Sequence, residues 1–213
     1  MAESKTNKGT RIAILCVAVF MLVSTVALYA SAIMGGSSTD TDSSDMSDEE
    51  LAHLQEIYNE YAAKVEEQRV ELSNQYFDKF SPYKSEVKAF NAASVTELKT
   101  RDILEGDGEL VAEGTPYHAY YIGWLSDETI FDSSLNDTSL NSPVGGGDFI
   151  EGWTQGVLGM KIGGVREITI PSAMGYGETG SGEVIPANAP LRFIVMLIPS
   201  VEEVPIPEEL LAY

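Results

Sequence analysis

Two stretches of this chain carry aromatic and branched side chains at spacings that could line one pocket. The first is Tyr120-Tyr121-Ile122-Gly123-Trp124 with Phe131-Asp132-Ser133-Ser134. The second opens with Phe149-Ile150-Glu151-Gly152-Trp153. It continues through Gly175-Tyr176-Gly177 and Val184-Ile185-Pro186 and closes with Leu191-Arg192-Phe193. Residues 149–193 contain no Cys, no His and no Gly-x-Ser-x-Gly turn, so they offer no obvious nucleophile. What they offer is a small apolar pocket with a few polar groups at its edge, including the Asp132 carboxylate. The chemistry available to such a site is non-covalent. His53 and His118 stand alone without metal-ligand spacing, and Gly145-Gly146-Gly147 lacks the Lys-Ser/Thr of a phosphate loop. No cofactor or metal is expected.

The elements that must position these residues read mostly as strands. Residues 95–104 are an expected strand or two, and Glu105-Gly106-Asp107-Gly108 is a turn. Tyr117 to Trp124 is rich in β-formers, and Asp127-Glu128 turns the chain into Thr129-Ile130-Phe131. A short helix fits 150–158, and Gly163-Gly164 leads into a strand over 165–170. Residues 172–190 form a loop punctuated by Gly and Pro. Residues 191–198 are almost continuously apolar, as a central buried strand requires. Strands with one short helix predict an α+β domain, an antiparallel sheet wrapped on that helix.

Upstream, residues 12–34 are apolar and uncharged, long enough at about 1.5 Å per residue to span a bilayer. Lys5, Lys8 and Arg11 precede this run, and Asp40, Asp42, Asp45 and Asp48 follow it. That bias predicts a basic cytoplasmic tail over 1–11, a single-pass anchor over 12–34 and an extracytoplasmic remainder in the cell membrane. The alternative is secretion after signal cleavage near Ala32, since Ala30-Ser31-Ala32 is a small-x-small pattern. Residues 35–47 read as a flexible linker. Residues 48–79 show Leu51, Leu54, Tyr58, Tyr61, Val65 and Leu72 at helical spacing, capped by Ser47 or Asp48. Pro82 breaks the pattern, and a helical stalk is assigned to 48–92. Its weak heptad seam predicts either a weak dimer through 48–79 or a stripe packed on the domain. Acidic residues outnumber basic ones 33 to 13, a net charge of −20, which argues against a nucleic-acid partner.

Over residues 95–201 the motifs resemble the FK506-binding-protein (FKBP) family of peptidyl-prolyl cis/trans isomerases. They are Tyr121-x-Gly123, Phe131-Asp132-Ser133-Ser134, Phe149-Ile150-x-Gly152-Trp153, Gly175-Tyr176-Gly177, Ile185-Pro186 and Leu191-x-Phe193, in that order. The resemblance implies an antiparallel half-barrel curled around a short helix, an isomerase domain over 93–201 and a tail over 202–213. It implies catalytic roles for Tyr121, Asp132, Tyr176 and the Ile150 backbone N–H. Substrate would be held by Trp153 as floor, with Phe131, Phe149, Phe193, Ile185, Val184 and Leu140 around it. Leu140 and Ser142 stand nearest to where the family carries a further aromatic pair. Phe149 replaces a commoner Val, and Ser181 a frequent His or aromatic. The implied activity is acceleration of X–Pro rotation, and the extracytoplasmic orientation read from the N-terminus makes exported proteins its expected clients. A catalytically weak proline-peptide-binding or chaperone module tethered to the membrane is the alternative. The implied partners are proline-containing clients and macrolide-type inhibitors.

Such an activity suits these residue types. Rotation about X–Pro crosses a barrier of about 18–20 kcal/mol, set by lost amide resonance. No bond to a heavy atom breaks. An apolar pocket favours the less charge-separated twisted amide, and donors placed near the carbonyls strengthen that preference.

Overall fold

The computed structural model describes residues 47–145 and 149–211. The expected membrane span at 12–34, the basic tail before it and the cleavage site near Ala32 lie outside the described residues, as does the linker up to residue 46. Among the described residues no helix is long and apolar enough to cross a membrane.

Two compact units emerge. The first includes the described residues 47–66 and 204–211, and the second is Glu67–Glu203. Helix α1 spans Asp48–Phe80. It opens with a capping box: the Ser47 amide donates to Glu50 Oε2 at 2.8 Å, and the Glu50 amide donates back to Ser47 Oγ at 3.3 Å. The helix stops where Pro82 enters, and a 3-10 segment follows over Ser81–Glu86. In the first unit, residues 208–211 form the short helical turn Glu208–Leu211.

The second unit is built on an antiparallel sheet. Its strands are β1 Lys99–Leu104, β2 Tyr117–Trp124, β3 Ile130–Ser133, β4 Val144–Gly145, β5 Val165–Ile170 and β6 Leu191–Pro199. They lie in the order β1-β5-β6-β2-β3, with β4 also paired to β2. The expected strand near 95 begins later, at Lys99. Residues 191–198 do form a central strand, between β5 and β2.

Period-two alternation sends the two sides of β6 into two different cores. Leu191, Phe193, Val195 and Leu197 face the short helix α2, Glu151–Gly156, together with Ala119, Ile168 and Ile170. Gly152 and Gly156, four apart on α2, sit against β5. A Cβ would meet Ile170 Cγ2 at 2.2 Å at the first and Ile168 Cγ2 at 2.6 Å at the second. Glycine lets the helix lie directly on the sheet. The buried Arg166 guanidinium fastens the end of α2. It donates to the Gly156 and Leu158 carbonyls at 2.9 Å each and pairs with Asp102 at 2.6 and 3.1 Å.

Ile194, Met196 and Ile198 face the other way with Tyr120, Ile122, Trp124, Val165 and Leu140. The end of α1 and the segment after it cover this second face. Phe80 is fully buried there, and Tyr76, Phe77, Tyr83, Val87 and Phe90 pack around it. The Tyr76 and Phe80 rings lie 5.8 and 6.2 Å from Tyr120. Burial pushes the Tyr120 hydroxyl up to about 12. Downstream, the Trp124 indole donates to the Lys88 carbonyl at 3.0 Å. The compact unit therefore begins at Glu67, inside the segment assigned to a stalk. The face of α1 that packs runs through Arg69, Ser73, Tyr76, Phe77 and Phe80. At about 100° per residue it is displaced from the Leu72 seam read from the sequence.

Phe80→Ala should destabilise the second unit by about 3–5 kcal/mol, read as a lower denaturant midpoint for loss of Trp fluorescence. An unchanged midpoint would mean that α1 is dispensable to the fold. A pH dependence follows from His118, whose Nδ1 accepts the Val201 amide at 3.0 Å. Burial lowers its pKa, against an opposing pull from Glu203. A depressed histidine pKa means that the unfolded chain binds the proton more readily. Stability is then complete above the unfolded value of about 6.5 and declines as pH falls toward and through the folded value. His118→Asn supplies a non-titrating acceptor. Its melting temperature should be flatter than that of the wild type between pH 7 and 5.5.

Candidate functional site

The cleft residues come from β2, β3, α2, the loop after β5 and strand β6. At its base lies Trp153, 3% exposed, on the first turn of α2. Phe149 stacks on its indole at 5.1 Å between centroids and 17° between planes. Tyr121 and Phe193 meet the same indole edge-on at 5.5 and 5.4 Å. Phe131 adds a further edge contact, 5.5 Å from Phe193. Offset and edge-to-face pairs of this kind hold rings at fixed angles beyond what burial alone does. Ile185 is 7% exposed and belongs to the same cluster, with Ile150 packed against it.

One glycine permits this ring packing. Gly123 stands opposite Phe193 on β6 and Asp132 on β3. A Cβ there would meet Phe131 Cζ and Phe193 Cε1 at 2.7 Å each. The rings occupy the volume that any other residue would fill.

The polar edge is built on Tyr121 and Asp132. The Tyr121 hydroxyl donates to Asp132 Oδ2. Asp132 Oδ1 accepts the Ser133 amide at 2.8 Å. Burial first, and then the Asp132 carboxylate, push the Tyr121 pKa upward. Tyr176 is 37% exposed and lies within electrostatic reach of the same carboxylate. Burial and then Asp132 raise its pKa too. Both phenols therefore remain protonated donors at neutral pH. Tyr176 sits just past the 3-10 turn Ser172–Met174, and the Gly180 amide, donating to its carbonyl at 3.1 Å, curls the loop that follows. Ile150 is the residue before α2, with φ −59° and ψ 150°. Its carbonyl accepts the Trp153 and Thr154 amides, while its own N–H precedes the helical ladder.

Of the site residues named from the sequence, Tyr121, Phe131, Phe149, Ile150, Trp153, Ile185 and Phe193 come together in one cluster. Asp132 and Tyr176 stand at its polar edge. Val184 is 53% exposed, and the structure does not bring it into the ring cluster. Leu140 is a correction. It is fully buried in the second core, on the opposite side of the sheet, with its amide bonded to Ser73. An aliphatic side chain in this loop finds better cover under α1 than at a cleft edge.

Sequence reasoning missed Tyr117. Its hydroxyl accepts the Trp153 indole N–H at 3.3 Å and satisfies the one polar atom of the buried ring. Strand parity carries that signal, because Tyr117 shares its face with Ala119, Tyr121 and Gly123. Among the described residues there is no cluster of His, Cys, Asp and Glu able to hold a metal ion.

The family model for FKBP-type peptidyl-prolyl cis-trans isomerase matches residues 108–198. An FK506-binding protein of Neisseria meningitidis serogroup A is 46% identical over 102 residues, which are 47% of this chain and 94% of that protein. FK506-binding protein 1 of Dictyostelium discoideum is 41% identical over 97 residues, 45% of this chain and 91% of its own. The crystal structure of AtFKBP13 aligns at 31% identity over 49% of this chain and 93% of its own, with a TM-score of 0.43. With nearly the whole length of the neisserial protein matched at that identity, this chain belongs to the FKBP-type peptidyl-prolyl cis-trans isomerase family.

Proposed function

We propose that the cleft over Trp153 is the seat of X–Pro isomerisation. The observation that carries this reading is the convergence of four packed rings with the Tyr121–Asp132 pair at one edge. The proline ring lies on Trp153 between Phe131, Phe149 and Phe193. Tyr176 and the Ile150 N–H donate to the carbonyls on either side of the rotating C–N bond. Tyr121 and Asp132 shape the polar rim.

The cleft acts by differential solvation and hydrogen bonding. A planar X–Pro amide loses hydration when it enters an apolar cleft, and the twisted amide, with less charge separation, loses less. Donors preorganised for the twisted geometry add to that difference without reorganising. A lowering of about 5 kcal/mol gives several thousand-fold acceleration. No atom leaves or joins the substrate, so every residue acts by position. The same cleft is the proposed seat for a macrolide of the kind that gives the relatives their name.

The cellular setting of this proposal rests on residues 12–34 and the charge asymmetry around them. A membrane-tethered isomerase on the outer side would meet exported chains as they fold there. Slow proline isomerisation, at tens to hundreds of seconds, is the step it would relieve.

The test is exchange NMR on a short X–Pro peptide with the full chain in detergent micelles. The wild type should broaden and merge the cis and trans resonances. Trp153→Ala combined with Tyr176→Phe should restore two sharp sets, and FK506 should do the same to the wild type. Catalysis that survives the double substitution would place the site elsewhere. Gly123→Ala should lower kcat/KM by at least about tenfold, since two wall rings must move off the cleft. A rate equal to wild type in that variant would mean that the rings do not set the reacting geometry.

A further inference from the structure

Helix α1 is more than a cover for the second core. Two of its side chains hold both backbone polar groups of a single loop residue. Ser73 Oγ accepts the Leu140 amide at 2.9 Å, and Arg69 Nη1 donates to the Leu140 carbonyl at 2.7 Å. Ser73 is 5% exposed, a buried polar residue on the packed face of the helix. The Leu140 side chain is fully buried beside it.

From Leu140 the loop runs back to the cleft through short hydrogen bonds. Leu140 bridges to Leu135 across the loop. The Asn141 amide donates to the Ser134 carbonyl at 2.8 Å, and Asn136 Nδ2 donates to Asn141 Oδ1 at 2.7 Å. Ser134 in turn holds both backbone groups of Tyr121. Its amide donates to the Tyr121 carbonyl at 2.9 Å, and its Oγ accepts the Tyr121 amide at 3.1 Å. The residue before it, Ser133, donates its amide to Asp132. The path therefore has a two-point clamp at each end, one on Leu140 from α1 and one on Tyr121 from Ser134. Little slack remains between them.

We propose that Ser73 and Arg69 are positioning residues for the isomerase cleft: through Leu140 and Ser134 they fix the Tyr121–Asp132 pair at its rim. The helix outside the family match thereby tunes the site inside it. A displacement of the loop relative to α1 is transmitted to the rim, while Trp153 and Phe193 stay seated on α2 and β6. This inference rests on the reading of Tyr121 and Asp132 as the polar rim of the reacting cleft.

The experiment compares Ser73→Ala, Arg69→Met, Ser73→Thr and Gln68→Ala in the full chain, with Asp132→Ala measured alongside. Gln68 also reaches from α1 into the compact unit, but its side chain donates to the Glu202 carbonyl at 2.8 Å and not to Leu140. Circular dichroism establishes that each variant is folded at the assay temperature. Isomerisation of an X–Pro peptide gives kcat and KM, and 15N-tyrosine labelling reports the Tyr121 amide. Ser73→Ala and Arg69→Met should each lower kcat about fivefold with KM within about twofold, as expected when a transition-state contact is displaced. Both should shift the Tyr121 amide resonance. Ser73→Thr should restore kcat, and Gln68→Ala should resemble wild type in both readouts. A folded Ser73→Ala with wild-type kcat or an unmoved Tyr121 resonance overturns the proposal. A Gln68→Ala loss equal to that of Ser73→Ala overturns it as well, because general loosening of α1 would then suffice. Full activity in Asp132→Ala would sink the rim reading alone, while the Tyr121 resonance still decides whether α1 sets the loop.

Discussion

Strand β6 has apolar side chains on both faces, and both must be kept from water. Leu191, Phe193, Val195 and Leu197 need one cover, and Ile194, Met196 and Ile198 need another. A strand of this kind cannot lie at the surface of a two-layer sandwich. The short helix α2 supplies the first cover, made possible by glycines that bring its backbone onto β5. The last turns of α1 and the segment through Phe90 supply the second. Burying a phenylalanine or leucine side chain contributes roughly 1.5–3 kcal/mol. A half-covered β6 would forfeit several such contributions at once.

The cleft is a by-product of the first cover. Helix α2 is only six residues long, so it cannot shield the whole concave face. The uncovered part is filled by rings from β2, β3 and β6 that lean on Trp153. Those rings hold one another at fixed angles, Phe149 stacked on Trp153 and Phe131, Tyr121 and Phe193 in edge or tilted contact. At the edge of the cleft the Tyr121 hydroxyl and the Asp132 carboxylate are paired with each other.

Much of this was legible in the residues. The β-formers of Tyr117–Trp124, the unbroken run of 191–198 and the turn before β3 placed the central strands. Glu128 adopts φ 73° in that turn, a strained backbone that the Asp127-Glu128 pair signals only weakly. The aromatic motifs come together in one cluster on the α2 side of the sheet. Leu140 was misplaced because loop position says nothing about which side of a sheet a side chain will seek. Tyr117 was missed because its role is to satisfy an indole 36 residues away. The packing face of α1 was obscured for a different reason. Two of its five positions, Arg69 and Ser73, are polar, so hydrophobic periodicity did not register them. Their partners are backbone groups of a distant loop, which no pattern within the helix encodes.

The second cover has a practical meaning for anyone dividing this chain. A cut at residue 93, just ahead of the first strand, would strip Tyr76, Phe77, Phe80, Tyr83, Val87 and Phe90 from the sheet. Tyr120, Ile122, Trp124, Ile194 and Met196 would then face water as one contiguous greasy plate. Contiguous exposed apolar patches drive self-association. The fragment that carries the family's recognisable motifs thus leaves out the cover of the second core. That cover lies within the Glu67–Glu203 unit but ahead of the family match at 108–198.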